Sequence, residues 1–506
     1  MSLPHLVSSG TATLLMVDDA PFLIRGGELG NSSAERSYLE PFWPKLEALG
    51  LNTVVAPVYW DVVEPAEGCF DWTTLDELLA DARAHGMRLV LLWFGSWKNS
   101  MSSYVPAWVK TDTERFPRAR TSGGAALEIL SAFADDNRDA DARAFAALMR
   151  HLREADDEHT VIMVQVENEI GMMPEARDHC PQAEEAFGGQ VPAELLPVGA
   201  QPGSWADVFG ASPATDERFQ AWAFARYVEV IAAAGKAELP LPMYTNAALI
   251  RPGAAPGQYP SAGPLPHLAE VWRAGAPSLD FIAPDIYFPN FAEWADAYVA
   301  SGNPLFVPEA LRSVDAAANA LYAFGRHAAL GFSPFGIESI SGDAEDLLAG
   351  AFDLVAQLTP LIAAHAGDGS MAGLIPPTDD MRAPHRVRLA DVVLEASYER
   401  VAAPSLADGV INESGDAHGS RLLPAAAIVI RTSADELIVA GMGVTLTFHS
   451  PAAADTVGIL SCEEGRFDPE WRHLRWLNGD QTHQGRHVRL EPGRFAVQRV
   501  RLYRYR

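Results

Sequence analysis

Eight times between residues 22 and 339 a short apolar run is followed by a stretch of helical or loop character. The runs are "FLIRGGELG" (22–30), "LNTVVAPVYW" (51–60), "MRLVLLWFGSW" (87–97), residues 160–169, "LPMYTNA" (241–247), "LDFIAPDIY" (279–287), "NPLFVPEA" (303–310) and "GFSPFGIES" (331–339). Their apolar residues are continuous rather than alternating, the pattern of parallel strands buried on both faces. Between them lie "LEPFWPKLEALG" (39–50), "TLDELLADARAHG" (74–86) and helical stretches near 139–154, 215–234 and 314–329. Gly50, Gly86 and Gly331 stand at helix-to-strand junctions, where a helix-ending glycine belongs. Eight alternating units predict an α/β fold, a closed (β/α)8 TIM barrel in preference to an open sheet.

Two connections break the rhythm. Residues 98–138 and 170–212 are rich in Gly, Pro and polar residues. Loops of that length in a compact domain are usually walls or lids, and both follow strands, on the barrel face where active sites lie. Beyond about residue 370 the pattern changes to strands cut by turn residues, as in "AAIVIRTSADELIVAGMGVTLTFHS" and "GRHVRLEPGRFAVQRVRLYRY". The division expected is a barrel over 1–370 with a short N-terminal lead-in, a linker over 371–386, and a β-sandwich-like domain over 387–506.

Composition narrows the partners. The net charge of −28 disfavours nucleic acid and anionic lipid, whereas a neutral carbohydrate would not be repelled. No apolar run reaches the ~18 residues of a membrane span, so no membrane insertion is expected. A homo-oligomer is compatible with the sequence. Cys69, Cys180 and Cys462 form no metal-like spacing and read as free thiols; His179-Cys180 is a loop pair without further ligands. "MSLPHLVSSG" has neither a basic nor an apolar leader region. The compartment stays open: periplasmic or secreted if a leader has been removed, cytoplasmic otherwise.

Polar residues at the ends of barrel strands converge on one pocket. Here they are Glu28 and Asn31 after the first strand, Trp60 and Asp61 after the second, and Trp93 and Trp97 at the third. Asn168 and Glu169 follow the fourth, Asn246 sits at the fifth, Tyr287 at the sixth, Glu309 at the seventh and Glu338 at the eighth. Carboxyls at the fourth and seventh, with aromatics around them, suit retaining glycoside hydrolysis. One carboxylic acid protonates the leaving oxygen while the other attacks the anomeric carbon. Two carboxyls suffice for that chemistry, so neither metal nor organic cofactor is expected.

The same residues carry a resemblance. "QVENEIG" (165–171) resembles the signature of glycoside hydrolase family 35, the β-galactosidases of the clan with acid/base and nucleophile on strands four and seven. "WDVVEPAEGCFDW" (60–72) resembles the strand-two stretch of families 35 and 42, and "FVPEA" (306–310) lies where the clan's nucleophile lies. The resemblance implies that Asn168 precedes the acid/base Glu169, that Glu309 is the nucleophile and that Tyr287 hydrogen-bonds it. Ile170, Val63 and "FGSWKN" (94–99) depart from the family pattern and mark a divergent branch. The function this implies is a retaining exo-β-galactosidase acting on oligosaccharides or plant polysaccharide side chains. Rival readings are a β-glucosidase or endo-glycanase, a non-catalytic carbohydrate-binding barrel, and a metal-dependent hydrolase.

Blander readings accompany each residue. Glu167 shares strand parity with Glu169 and reads as a buried hydrogen-bonded support. Glu338 fits a sugar-hydroxyl ligand or a structural partner. Trp60, Trp93 and Trp97 fit core or sugar platform. "WRHLRWLNGDQTHQGRHVRL" (471–490) fits packing between domains better than sugar binding.

Overall fold

The computed structural model describes residues 2–378, 384–402, 422–452 and 455–506. Eight parallel strands close on one another in chain order: β1 (Ile24–Glu28), β2 (Thr53–Tyr59), β3 (Arg88–Phe94), β4 (Val161–Val166), β5 (Met243–Ala248), β6 (Phe281–Ile286), β7 (Phe306–Ala310) and β8 (Gly331–Pro334). The chain is a (β/α)8 barrel. β2, β4, β6 and β7 are buried at every residue. One side of each strand faces the barrel interior and the other faces helices, which is why these runs are apolar throughout.

The strands end earlier than their apolar runs suggest. Trp60 opens a short helix, Trp60–Val63, instead of ending β2, and Glu167–Glu169 and Tyr287 lie just past β4 and β6. The polar residues thus sit where the backbone leaves the ladder. The long connections carry structure of their own. Residues 98–138 include the helix Ala107–Thr111 and a hairpin of Arg118–Arg120 with Ala126–Leu130. Residues 170–212 include the helices Pro181–Gly188 and Trp205–Phe209. The His179-Cys180 pair serves this loop: His179 pairs with Glu175 and Glu184, and Cys180 Sγ accepts the Ala183 N–H at the helix start. All three cysteines are free thiols.

The N-terminal lead-in forms a three-stranded antiparallel sheet (His5–Ser9, Ala12–Val17, Ala20–Pro21) whose Asp18 pairs with Arg88 at the start of β3. Helix Asp343–His365 is long and apolar enough to cross a membrane by length and composition. Here Leu348, Phe352, Val355 and Leu358 of that helix are buried in the protein core.

The C-terminal strands are β9 (Met371–Leu374), β10 (His385–Leu389), β11 (Val392–Tyr398), β12 (Ala426–Arg431), β13 (Glu436–Met442), β14 (Val444–His449), β15 (Thr456–Asp468), β16 (Glu470–Trp476), β17 (Val488–Leu490) and β18 (Ala496–Tyr505). They form a six-stranded sheet, β9-β12-β13-β18-β15-β16, and a four-stranded sheet, β10-β11-β14-β17. The two share a core of residues such as Val429, Val439, Val500, Leu394, Leu446 and Val488. The opposite face of the six-stranded sheet, through Ile428, Ile430, Ile438 and Ala440, belongs to the barrel's own core.

The expected linker over 371–386 is therefore shorter at both ends, because residues 371–374 pair with β12 and His385 opens β10. Residues 379–383 lie outside the described residues. The stretch 471–490 divides as well. Trp471 and Phe467 pack against the barrel core, whereas Trp476 is 61% exposed.

The barrel helix Ala316–His327 meets the six-stranded sheet at glycines. A Cβ on Gly373 would lie 2.7 Å from both Tyr322 O and Arg326 N, and one on Gly325 would lie 3.0 Å from Ile428 Cγ1. Helix and sheet backbones approach too closely for a side chain there. We expect Gly373→Ala to destabilise the protein by about 1–3 kcal/mol, the usual cost of overpacking, with a lower thermal midpoint. An unchanged midpoint would show that this contact yields freely.

Candidate active site

The site begins where β4 breaks. Glu167 and Glu169 adopt left-handed backbone conformations, φ +63° and +44°. Such positions cost a non-glycine residue of order 1 kcal/mol or more and persist where surrounding groups over-determine them. The Glu169 N–H donates to Asn246 Oδ1 at 2.9 Å. Its carbonyl accepts the Ser100 N–H at 3.0 Å and the Ser100 hydroxyl at 3.2 Å. The Asn168 N–H donates to Trp97 O, and the Gln165 amide donates to Glu167 O. Glu167 in turn accepts the Trp97 N–H at 2.7 Å. The expectation that Glu167 is a buried support describes its place in the structure.

Behind this turn lies a second carboxyl. Asp141, on helix Asp135–Ala155, accepts Trp93 Nε1–H at 2.8 Å and the Ser96 N–H at 2.9 Å. Burial, then the neighbouring Asp141 charge and hydrogen bond, push Glu167 well above the ordinary carboxyl range. Burial and the Asp141 charge thus favour the protonated form of Glu167. Together Glu167 and Asp141 pin the loop after β3 to the end of β4.

In front of it four carboxyls converge. One oxygen from each of Glu169, Asp285 and Glu309 lies within 4.8 Å of the other two. The carboxyls of Glu28 and Glu309 meet within hydrogen-bonding range. Glu28 Oε1 and Glu309 Oε2 are buried with no other hydrogen-bond partner among the described residues. The Tyr287 hydroxyl donates to Glu309 Oε1. Glu169 and Glu309 are 8% and 5% exposed. Burial and then the Glu309 charge raise Glu169 to about 7, against smaller opposing effects of Lys98 and an Asp285 hydrogen bond. Burial and Glu309 likewise push Glu28 and Asp285 well up. So crowded a set cannot be fully ionised near neutral pH, and protons are shared within it.

The remaining sequence-predicted residues separate. Asn168 lies in the cluster: its Oδ1 accepts from Lys98 Nζ at 2.9 Å, and its buried Nδ2 has no partner among the described residues. Asn31 Oδ1 is also buried without a partner there. Asn246 brackets the cluster through both ends of its amide. Its Oδ1 holds Glu169 N, and its Nδ2 donates to Asp285 Oδ2 at 2.6 Å. Glu338 resolves as a structural partner, accepting the Ser33 hydroxyl at 2.8 Å and the Gly30 N–H at 3.2 Å, which ties β8 to the loop after β1.

The tryptophans are core rather than platform. Trp60, Trp93 and Trp97 are fully buried. Trp60 Nε1–H donates to Glu64 at 2.7 Å, Trp93 is held by Asp141, and Trp97 packs edge-on against Phe224 and Tyr227 of helix Pro213–Glu238. Trp93 and Trp97 thus meet surrounding helices, which the apolar density of the strand ends concealed.

Sequence reasoning missed two residues of the cluster. Asp285 shares strand parity with Tyr287, so a charge inside "FIAPDI" was a usable signal. Lys98 follows β3 in a loop, where period and parity carry no information. Three carboxylate oxygens at this spacing have the size of a hard-cation site. The buried Lys98 ammonium already supplies positive charge to this cluster.

Comparison with known proteins places likeness in the barrel and in the C-terminal part of the chain. Residues 35–237 match the family described as "Beta-galactosidase", glycoside hydrolase family 42, and residues 348–489 match a "Domain of unknown function (DUF5597)". The first match contains 60–72 and Glu169, but not Asp285 or Glu309. A β-galactosidase of Xanthomonas manihotis is 29% identical over 184 residues, 34% of this chain and 27% of that one. The β-galactosidase BgaA of a Thermus species is 27% identical over 191 residues, again 34% and 27%. The chain thus spans about a quarter of the length of these relatives. The crystal structure of a β-galactosidase from the psychrophilic Marinomonas ef1 shares the fold at a TM-score of 0.50, with 14% identity over 67% of this chain and 60% of that one. The chain is a divergent relative of the glycoside hydrolases, with likeness to family 42 in its barrel.

Proposed function

We propose that the protein is a retaining exo-β-galactosidase, with Glu169 as acid/base and Glu309 as nucleophile. The observation that carries the proposal is their proximity, one oxygen of each carboxyl lying within 4.8 Å of one oxygen of the other. Retaining enzymes hold the two carboxyls about 5–5.5 Å apart, whereas inverting enzymes leave roughly 6.5–9.5 Å for a water molecule. The substrate assignment draws on the relatives named β-galactosidase and on the motifs at 60–72 and 165–171. The near-complete burial of both carboxyls favours a closed pocket that takes one terminal sugar over an open groove.

Each step follows from the charges present. Glu309 attacks the anomeric carbon as the glycosidic bond breaks, and Glu169 passes its proton to the leaving oxygen. Tyr287 steadies the Glu309 carboxylate and orients it. Once Glu309 is an ester, the charge that raised Glu169 is gone. Glu169 then ionises more readily and can take a proton from the incoming water. That water attacks the anomeric carbon, releasing the sugar with its original configuration.

Three outcomes test the proposal. With a nitrophenyl β-galactoside, proton NMR should show the β anomer of galactose first; early α anomer would exclude this pair. A 2-deoxy-2-fluoro-β-galactosyl donor should leave its ester on the peptide containing Glu309, and Glu309→Gly should lose about 10⁴-fold or more of kcat. Label on Glu28 or Asp285 would reassign the nucleophile.

The third outcome is the pH profile. A general acid works only below its own pKa, so kcat/KM should fall as pH rises through about 7, where Glu169 loses its proton. Glu169→Gln should lack that alkaline limb on an activated substrate. A limb that persists in the variant would assign it to another group.

A further inference from the structure

Lys98 is 4% exposed, buried in a cluster of acids. An isolated buried ammonium would be expensive, and such groups are retained only with partners. The chain builds a dedicated turn to hold this one. Lys98 N–H donates to Met101 O at 2.8 Å, while Asn99 and Ser100 both take left-handed conformations, φ +50° and +61°. The same turn grips the Glu169 carbonyl through Ser100. The side chain then runs to Asn168 Oδ1, 2.9 Å from Nζ, with the ammonium 5.0 Å from the Phe94 ring centre. One turn therefore places a positive charge and the Glu169 backbone together.

Lys98 faces groups from every side. Glu28 approaches from β1, Glu169 from the end of β4, Asp285 from β6 and Glu309 from β7, with Tyr104 on the loop after β3. Burial opposes its charge, yet these carboxyls together hold Lys98 above its ordinary value. Among the described residues it is the cation that acts on each of Glu28, Glu169 and Asp285. The Asn168 hydrogen bond also settles an orientation. With Oδ1 turned to the ammonium, Nδ2 is the end left to meet a ligand.

We propose that Lys98 is a positioning residue of this centre, a built-in counter-ion that fixes the Asn168 amide and sets how the acid cluster shares its protons. The role rests on the glycosidase reading of Glu169 and Glu309. It separates two effects of one side chain. The hydrogen bond orients Asn168, and the charge favours the ionised carboxyls around it. Removing the charge must make Glu169 harder to ionise, so its proton should be held to higher pH.

The experiment compares the full-length protein with Lys98→Gln, Lys98→Met and Lys98→Arg, each checked by thermal unfolding. Gln can still donate to Asn168 but carries no charge, Met does neither, and Arg keeps the charge. The alkaline limb of kcat/KM on a nitrophenyl β-galactoside should move up by about one pH unit in Gln and Met, the effect expected for one charge lost several Å away. It should stay near the wild-type position in Arg. Met should lose roughly a further tenfold in kcat relative to Gln, because only Gln still orients Asn168. A limb that does not move in Lys98→Gln overturns the counter-ion role, even if turnover falls. Carbon-13 NMR titration of labelled glutamate, with Glu169 assigned through Glu169→Gln, reads the same shift without any turnover. Wild-type inactivity on galactoside, glucoside and glucosaminide probes would sink the glycosidase reading, while this titration would still decide the role of Lys98. If Lys98→Met does not fold, Lys98→Gln and the titration carry the test alone.

Discussion

Carboxyl groups lose most of their hydration when they are enclosed at the end of a barrel, and the architecture around this site is organised to offset that loss. Glu28, Glu169, Asp285 and Glu309 are each at most 8% exposed, and Glu167 and Asp141 are fully buried behind them. No single partner could neutralise six acids. Protons shared between neighbours, hydrogen bonds from Tyr287, Asn246, Trp97, Trp93 and Ser96, and the ammonium of Lys98 divide the task. Like charges this close disfavour one another's ionisation, so burial and the Glu309 charge raise Glu28, Glu169 and Asp285 together.

This arrangement needs a rigid frame. Two left-handed residues at the end of β4 turn Glu169 toward the acid cluster, and hydrogen bonds with β5 and with the loop after β3 fix its peptide on both sides. Asn246 couples that peptide to Asp285, so β4, β5 and β6 are locked at the height of the cluster. Glu338 performs a similar service between β8 and the loop after β1. Several residues that look like ligands are therefore brackets. Their polar atoms are consumed in holding the few side chains whose polar atoms stay unpaired. The C-terminal sheets support the frame from outside, since β12 and β13 of the six-stranded sheet are buried on both faces, one against the partner sheet and one against the barrel.

How much of this could be read beforehand depended on periodicity. The barrel was legible because eight apolar runs at regular spacing admit few closed arrangements. Glu169 and Glu309 were legible because charge at the end of a buried strand is costly and needs a reason. The second domain was visible as a change from helical spacing to turn-broken strands, yet its first strand was hidden. Residues 371–374 are short and sit between a long helix and a proline-rich segment. Asp285 lies inside the apolar run of β6, two residues before Tyr287, so strand parity places both on one face.

The sequence by itself determined the order of elements and the placing of Glu169 and Glu309 at strand ends, because strand periodicity and the cost of buried charge act locally along the chain. Tertiary structure alone decided which polar groups bracket and which stay unpaired, that Trp60, Trp93 and Trp97 are core, and that Lys98 lies among four acids. Those outcomes depend on distances between residues as far apart as Lys98, Asp285 and Glu309. A loop residue obeys no period, so its position is set by the turn that holds it and by the charges it meets only after the barrel has closed.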